Sequence, residues 1–241
     1  RQKAQQLIRA GKVRLGDAVL DKPGHEISLE AVPEVTLPPR FVSRGGEKLA
    51  AALEALPVQV EGRCCLDAGI STGGFSDCLL QHGASRIYGI DVGYGQTAWS
   101  LRQDPRVVLR ERTNLRHLTP EDLYGPGDPQ PDLAVADLSF ISLSRVLEPM
   151  QGLLAGGPQA EAVLLVKPQF EVGRERVGKG GVVRDPKAHA DAIALVAAAA
   201  EPLQWFPQGL VESPITGAAG NHEYLLWLGP KAELDSSAWT A

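Results

Sequence analysis

Short apolar runs that end in a polar residue alternate with helical patterns over most of the chain. Strand-like runs lie at 63–67, 86–91, 107–109, 133–136, 162–166, 209–212 and 223–228. Apolar residues at helical spacing lie between them, at about 47–56, 74–80, 96–102, 143–154 and 186–200. This alternation predicts an α/β fold, built on a doubly wound, mostly parallel sheet of about seven strands.

The first forty residues follow a different pattern. A helix is predicted at 1–10, with short strands at 13–15, 18–20 and 25–32. Pro33, Pro38 and Pro39 then indicate a linker. We therefore expect a small α+β module at 1–40, a main domain at 41–229 and a tail at 230–241. Because the chain begins on Arg1 within a helical pattern, we expect the module to be truncated.

The module differs from the rest of the protein in its net charge. The 241 residues carry a net charge of −5, yet residues 1–22 hold six basic residues against Asp17 and Asp21. Such a local patch favours contact with nucleic acid, although an idle basic surface has the same composition. Three cysteines without metal-like spacing, no leader and no apolar run of ~20 residues predict a cytoplasmic protein without a bound metal.

Polar residues follow the predicted strands at one edge of the sheet. They are Asp67, Asp91, Asn114, Asp137 and Lys167. In open α/β sheets, ligands bind beyond the carboxyl ends of the strands. Five polar residues at such positions therefore predict a functional site there.

The glycines Gly69, Gly73 and Gly74 follow the first of these strands without the G-x-G-x-x-G spacing of dinucleotide sites. Gly-rich turns after strands also occur with other ligands. The pattern D-x-G-x-x-x-G-G-F with a later strand-end acid resembles the S-adenosylmethionine site of class I methyltransferases. The resemblance implies that Asp91 binds the ribose hydroxyls and Asn114 the adenine edge. The implied cofactor-binding residues are Asp67, Gly69, Ser71, Thr72, Gly73, Gly74, Phe75, Asp91, Val92, Asn114 and Asp137.

Lys48, Asp137, Lys167 and Glu223 stand in the order of the tetrad of FtsJ-like ribose 2′-O-methyltransferases. The chain as a whole closely resembles the TlyA (haemolysin A) family, whose members methylate cytidine 2′-hydroxyls in ribosomal RNA. The resemblance rests on SRGGEKL, DAGISTGGF, ADLSFISL, VKPQFE, GKGGVVRDP and GNHEY. It implies a Rossmann-like methyltransferase domain behind a module similar to the S-four-type RNA-binding domain.

Methylation of a ribose hydroxyl requires alignment and proton removal. We expect Lys167 to be the base, although a solvated lysine is almost wholly protonated at neutral pH. Burial and a neighbouring cation, Lys48, would favour the neutral amine. Asp137 would orient that amine, and Glu223 would orient Lys48 or the ribose hydroxyl. The alternative is that the four residues form two structural ion pairs.

The segment 173–185 combines four glycines with several charges, which is typical of a mobile loop. It is either an RNA-facing flap or a merely flexible segment. The resemblance of the N-terminal module implies RNA contacts by Arg1, Lys3, Arg9, Lys12 and Arg14, and we also expect one by Arg44. If the segment is a flap, Lys179 and Arg184 would contact phosphates.

Three other functions remain open at this point. A non-catalytic RNA-binding or ribosome-assembly protein would share the basic module, and a small-molecule methyltransferase would share the glycine loop. A membrane-active haemolysin would need an apolar helix face, whereas the helix at 186–200 is rich in alanine. The sequence does not identify the target nucleotide, the ribosomal subunit or the oligomeric state, and it is compatible with a monomer.

Overall fold

The structure is a computed structural model that describes residues 1–36 and 39–231. Contacts divide the chain into two compact units, Arg1–Arg40 and the part from Phe41 onward. The first unit contains α1 (Gln2–Arg9), β1 (Val13–Leu15), β2 (Ala18–Leu20) and β3 (Glu34–Val35). These strands form an antiparallel sheet in the order β2-β1-β3.

The strand predicted at 25–32 is wrong. Its apolar residues Ile27, Leu29 and Val32 are exposed, so no core holds this segment in a sheet. The third strand is instead the two-residue β3, where Val35 pairs with Val13. Pro38 of the predicted linker and residues 232–241 of the predicted tail lie outside the described residues.

The second unit is an α/β domain. Its strands are β4 (Cys64–Ala68), β5 (Arg86–Ile90), β6 (Val107–Arg110), β7 (Leu133–Ala136), β8 (Glu161–Val166), β9 (Phe206–Glu212) and β10 (Tyr224–Gly229). Its helices are α2 (Gly45–Ala55), α3 (Gly74–Gln81), α4 (Trp99–Arg102), α5 (Pro120–Leu123), α6 (Leu147–Gly152), α7 (Pro168–Glu171) and α8 (Pro186–Ala200).

The seven strands form one sheet in the order β6-β5-β4-β7-β8-β10-β9. The first five of these strands are parallel, whereas β10 runs antiparallel to both β8 and β9. The doubly wound, mostly parallel sheet predicted from the sequence is therefore confirmed. Because β10 is reversed, its first residue lies at the edge where β7 and β8 end.

Both faces of the sheet are covered by helices. Successive residues of a strand point to opposite faces, so Leu66 and Ala68 join one core while Cys65 joins the other. The first core includes Met150 and residues of α8, and the second includes residues of α2 and α3. The central strands are buried on both sides, as expected for a parallel sheet.

Two predicted helices are shorter than the sequence pattern suggested. The segment 143–154 divides into a 3-10 turn and α6, because Pro149 has no N–H and therefore fits only the first turn of a helix. The segment 96–102 is helical only in α4. Thr97 lies before that helix, is buried and donates its hydroxyl to Ser71 O at 3.0 Å.

Close packing positions α2, which carries Lys48. A Cβ built on Gly46 would lie 2.6 Å from Phe41 Cδ2 and closer still to Phe41 Cβ and Cγ. A Cβ built on Gly74 of α3 would lie 2.8 Å from Gly46 N. The start of α2 can therefore approach α3 only because both positions lack a side chain.

We expect Gly46→Ala to reduce the free energy of unfolding by about 1–3 kcal/mol, because the new methyl group overlaps Phe41. Gly152 is the matched control, since it lies at an exposed helix end and a Cβ there would meet no atom within 4 Å. Gly152→Ala should be neutral or stabilise by about 0.4–1 kcal/mol. Urea unfolding of both variants measures the difference, and equal midpoints would contradict the prediction.

Candidate active site

Strand register brings three predicted catalytic residues to the same edge of the sheet. Asp137 follows β7 and Lys167 follows β8, which are parallel neighbours. Glu223 precedes β10, whose Tyr224 pairs with Val166 of β8. The same antiparallel register places Glu223, the residue before β10, opposite Lys167, the residue after β8.

The four predicted catalytic residues form two ion pairs. Lys167 Nζ lies 2.6 Å from Asp137 Oδ1, and Lys48 Nζ lies 2.5 Å from Glu223 Oε2. Lys48, Lys167 and Glu223 are buried, with exposed fractions of 9%, 8% and 3%. Each lysine has its own carboxylate, so Glu223 neutralises much of the field that Lys48 would exert on Lys167. The structure places Asp137 beside Lys167, as expected from the sequence, and of the two partners expected for Glu223 it shows Lys48.

The N-terminus of α2 connects the two pairs. A Cβ built on Gly45, the first residue of α2, would lie 3.7 Å from Asp137 Oδ2 and 3.6 Å from Phe75 Cδ1. The positive end of the helix dipole therefore lies beside the Asp137 carboxylate, which it stabilises. Lys48 is three residues further along the same helix.

Ser139 is a site residue that the sequence reasoning missed. Its Oγ accepts a hydrogen bond from Lys167 Nζ at 2.9 Å. The spacing carried a signal, because Ser139 stands two residues after Asp137, and alternate residues of an extended segment point the same way. The Lys167 amine thus has two oxygen partners from one segment.

A cleft of about 610 Å³ adjoins the Lys167–Asp137 pair. This volume lies within the usual range of small-molecule sites. The predicted residues that line it are Gly69, Ser71, Asp91, Val92, Asn114, Asp137 and Lys167. The predicted cofactor residues that do not line it are Asp67, Thr72, Gly73, Gly74 and Phe75. Gln96, Thr113 and Ser139 line the cleft without having been predicted.

The Asp91 carboxylate, which lines the cleft, accepts two hydrogen bonds from the backbone. Its Oδ2 accepts from Ser71 N at 2.8 Å, and its Oδ1 accepts from Gly93 N at 2.7 Å. A carboxylate has about four lone-pair positions, so further hydroxyl groups can still bind there. Asn114 uses its Oδ1 to accept from Arg116 N at 3.1 Å, which leaves the amide NH₂ for other partners.

The glycine loop needs glycine at Gly69. This residue has φ of 84°, and a Cβ on it would lie 2.8 Å from Leu138 Cδ2 and 2.9 Å from Asp137 O. Left-handed backbone and the close approach of another chain segment both exclude a side chain. The loop after β4 and the segment after β7 therefore form adjoining walls of the cleft.

Asp67 lies beneath the loop and is fully buried. Its Oδ2 accepts from Ser76 Oγ at 2.6 Å, whereas its Oδ1 has no hydrogen-bond partner among the described residues. Burial raises the pKa of Asp67 to about 7, the charges of Asp137 and Asp91 add to that rise, and the Ser76 hydroxyl opposes it. Through its bond with Ser76 of α3, Asp67 thus connects β4 to α3 and stabilises the loop between them.

The loop at 173–185 is tethered to the segment that carries Glu223. The buried side chain of Asn221 donates from Nδ2 to Gly181 O at 2.9 Å and accepts at Oδ1 from Val183 N at 2.9 Å. Arg176 pairs with Asp185 at 3.1 Å and with Asp191 at 2.6 Å. These contacts fix both ends of the glycine-rich part of the loop.

The residues predicted to contact RNA are all at the surface. The exposed residues are Arg1, Lys3, Arg9, Lys12, Arg14, Arg44, Lys179 and Arg184. The first five belong to the N-terminal unit and the last three to the α/β domain. Exposure makes these side chains accessible to a large polyanion, and it does not by itself assign them a ligand.

The described residues contain neither a metal-binding cluster nor a membrane-spanning helix. Across 1–36 and 39–231, His, Cys, Asp and Glu form no group of three or more that could hold a metal ion. Within the same ranges, each helix is too short or too polar to cross a membrane. The three cysteines are free and buried, and burial raises the pKa of Cys64 to about 11 and that of Cys65 to about 12.

Asp67 makes protein stability depend on pH. The folded-state pKa of about 7 exceeds the ordinary value of 3.8, so its stabilising effect is complete at low pH and is lost as pH rises through about 7. Asp67→Asn removes this titration. We therefore expect the stability of the variant relative to wild type to rise between about pH 4 and about pH 7, measured by urea unfolding.

Asp17→Asn is the control for the same chemical change at an exposed site. It shows how far an aspartate-to-asparagine change alters stability when no burial is involved. If wild-type protein and Asp67→Asn had parallel stability curves across this pH range, the buried carboxyl would not be the titrating group.

The comparisons with known proteins agree with this geometry. The model of the FtsJ-like methyltransferase family matches residues 41–230. The 16S/23S rRNA (cytidine-2′-O)-methyltransferase TlyA of Mycobacterium tuberculosis is 51% identical over 240 residues, which cover 99% of this chain and 87% of that protein. The resemblance noted from the sequence motifs is therefore confirmed.

Solved structures show the same fold. A candidate hemolysin from Lactococcus lactis is 45% identical, has a TM-score of 0.74 and matches 79% of this chain and 89% of its own. An S-adenosylmethionine-dependent methyltransferase from Mesorhizobium loti has a TM-score of 0.52 at 18% identity, over 74% of this chain and 95% of its own. The predicted Rossmann-like methyltransferase sheet is thus confirmed, and the chain belongs to the FtsJ-like methyltransferase family.

Proposed function

We propose that this protein transfers a methyl group from S-adenosylmethionine to the 2′-hydroxyl of cytidine in ribosomal RNA, with Lys167 as the general base. The observation that carries the proposal is the pair formed by the buried Lys167 and the half-buried Asp137 at the rim of the cleft. The relative from Mycobacterium tuberculosis, which bears that activity in its name, supports the choice of substrate.

The cleft fits the proposed cofactor. The bare backbone at Gly69 lets the glycine loop lie against Asp137, so that both border the space proposed for the methionine group. Asp91 offers free lone pairs to ribose hydroxyls. Asn114 offers its amide NH₂ to an adenine edge. When bound, S-adenosylmethionine supplies an activated sulfonium methyl group. The chain itself then has to orient the acceptor and remove its proton.

Lys167 is suited to removing that proton. Its amine lies at the wall of the cleft, is shielded from bulk water and is oriented by Asp137 Oδ1 at 2.6 Å. We infer that Lys48 and Glu223 fix the neighbouring wall, because their ion pair connects α2 to the start of β10. A general base of this kind contributes about 10²–10⁴-fold to the rate.

We also propose how the protein meets RNA. The unit at 1–40 is proposed as an S-four-type RNA-binding module, supported by the net positive charge of residues 1–22 and the exposure of their basic side chains. Lys179 and Arg184 extend from the loop that Asn221 tethers beside Glu223, where they can contact phosphates. Ribosomal subunits as substrates imply a cytoplasmic protein.

The rival functions explain fewer observations. An RNA-binding protein without activity has no need of two buried lysines that each pair with a carboxylate, or of a cleft beside one of them. A small-molecule methyltransferase has no need of the basic unit at 1–40. A haemolysin would use membrane-seeking surfaces, and α8 instead buries its residues against the sheet.

Cofactor binding is tested at Gly69. We expect Gly69→Ala to weaken binding of S-adenosylhomocysteine by about 10-fold or more, because the new methyl group would overlap Leu138 and Asp137. Gly62 also has positive φ, but a Cβ there would meet no atom within 4 Å. Gly62→Ala should cost only about 1–2 kcal/mol of stability and leave binding intact, as measured by titration calorimetry.

The proposed base is tested by Lys167→Ala. Both purified ribosomal subunits are incubated with methyl-labelled cofactor, and ribose methylation is mapped in the RNA. We expect this variant to bind S-adenosylhomocysteine like wild type and to lose about 10²–10⁴-fold in methyl transfer. The exposed Lys187→Ala is the control. Undiminished transfer by Lys167→Ala would refute the role of Lys167, and absence of RNA methylation by wild type would refute the proposed substrate.

A further inference from the structure

The Lys167 amine is held by two acceptors from one segment of chain. Asp137 Oδ1 lies 2.6 Å from Nζ, and Ser139 Oγ accepts from the same nitrogen at 2.9 Å. All three residues line the cleft, although Lys167 is only 8% exposed. The second acceptor limits the directions in which the amine can point its lone pair.

A lysine nitrogen has four tetrahedral directions, and its own side chain occupies one of them. Asp137 and Ser139 occupy two more, so a single direction is left. In a neutral amine that direction holds the lone pair, which has to meet the hydroxyl proton of the acceptor. A carboxylate alone fixes one N–H, and the second N–H and the lone pair can then exchange between the two remaining directions.

We propose that Ser139 is a positioning residue that, together with Asp137, fixes the direction of the Lys167 lone pair toward the acceptor hydroxyl. The inference rests on the proposed function, in which Lys167 removes the proton. Ser139 acts through Lys167, and the hydroxyl itself takes no part in the bond that forms or in the bond that breaks.

The surrounding structure fixes Ser139 in turn. Its segment is held at the start by Asp137 N, which donates to Ala68 O at 3.2 Å. Beyond Ser139, the Glu171 carboxylate accepts from Ser142 Oγ at 2.6 Å and from Leu143 N at 2.9 Å. Because both ends are held, the segment cannot shift freely when the Lys167 contact is lost.

The neighbour of Ser139 supports the same interpretation. Phe140 has φ of 66°, a conformation that is costly for a large side chain and persists only where the surrounding structure enforces it. The Phe140 and Phe170 rings lie 5.3 Å apart, and the Phe170 ring centroid lies 6.0 Å from Lys167 Nζ. Phe140 is 91% exposed, so its contact with Phe170, rather than burial, places this part of the segment beside the amine.

The test compares Ser139→Ala, Ser139→Thr and the control Ser85→Ala. Threonine keeps the hydroxyl, and exposure of Ser139 leaves room for the added methyl group. Ser85 is also exposed but lies at the opposite end of β5, where its hydroxyl donates to Arg63 O at 3.0 Å. Single-turnover methyl transfer to ribosomal subunits is measured at saturating cofactor and RNA.

For Ser139→Ala we expect a rate at saturation that is about 10–100-fold lower, since small misplacements of a reacting group have effects of that size. The RNA concentration at half-saturation and the affinity for S-adenosylhomocysteine should stay within about twofold of wild type. Ser139→Thr should restore most of the rate, and Ser85→Ala should match wild type.

A second measurement does not depend on activity. In protein labelled with ¹⁵N-lysine, the Nζ resonance of Lys167 is assigned by its loss in Lys167→Ala. We expect Ser139→Ala to broaden or shift this resonance, and Ser139→Thr and Ser85→Ala to leave it unchanged. These spectra report the order of the amine itself.

A wild-type rate in Ser139→Ala, equal loss in Ser139→Thr, or a loss that lies only in binding would each overturn the positioning role. These outcomes are distinct from failure of the proposed function. If Lys167→Ala remained active, Lys167 would not be the base. If Lys167→Ala were inactive and Ser139→Ala were normal, the proposed function would stand without Ser139.

Discussion

The site depends on the close approach of two backbone segments at the ends of β4 and β7. Asp137 N donates to Ala68 O, and Asp137 O comes so close to Gly69 that a Cβ would lie only 2.9 Å away. One of these segments forms the glycine loop and the other carries the partners of Lys167. Because no side chain separates them, a ligand on the loop and the lysine amine border the same cleft. A side chain at Gly69 would therefore disturb both the glycine loop and the segment that carries the partners of Lys167.

The sequence predicted the sheet and its edge because apolar runs report burial directly. Asp91 and Lys167 stand at strand ends, and a parallel sheet brings such positions together whatever the loops do. The sequence left two partners open for Glu223, Lys48 or the ribose hydroxyl, because the pairing depends on how α2 packs against the sheet. Tertiary contacts of this kind leave no periodic signal in a single chain.

Other differences have local causes. The strand expected at 25–32 has the right alternation, but its apolar residues find no core. Pro149 shortened a predicted helix because a missing N–H is tolerated only in the first turn. Ser139 and Asn221 escaped notice because serine and asparagine are common in loops, and only their buried partners distinguish them.

The reversed strand β10 has a consequence for the order in which this edge of the sheet is completed. Glu223 joins Lys48 across 175 residues of sequence, and it does so only when β10 has inserted between β8 and β9. Closing so long a loop is entropically costly and requires a formed sheet on which to dock. A growing chain therefore contains the residues of the glycine loop and Asp91 well before it contains Glu223, the carboxylate partner of Lys48. The ion pair between α2 and the residue before β10 is the last contact of this edge that the chain can complete.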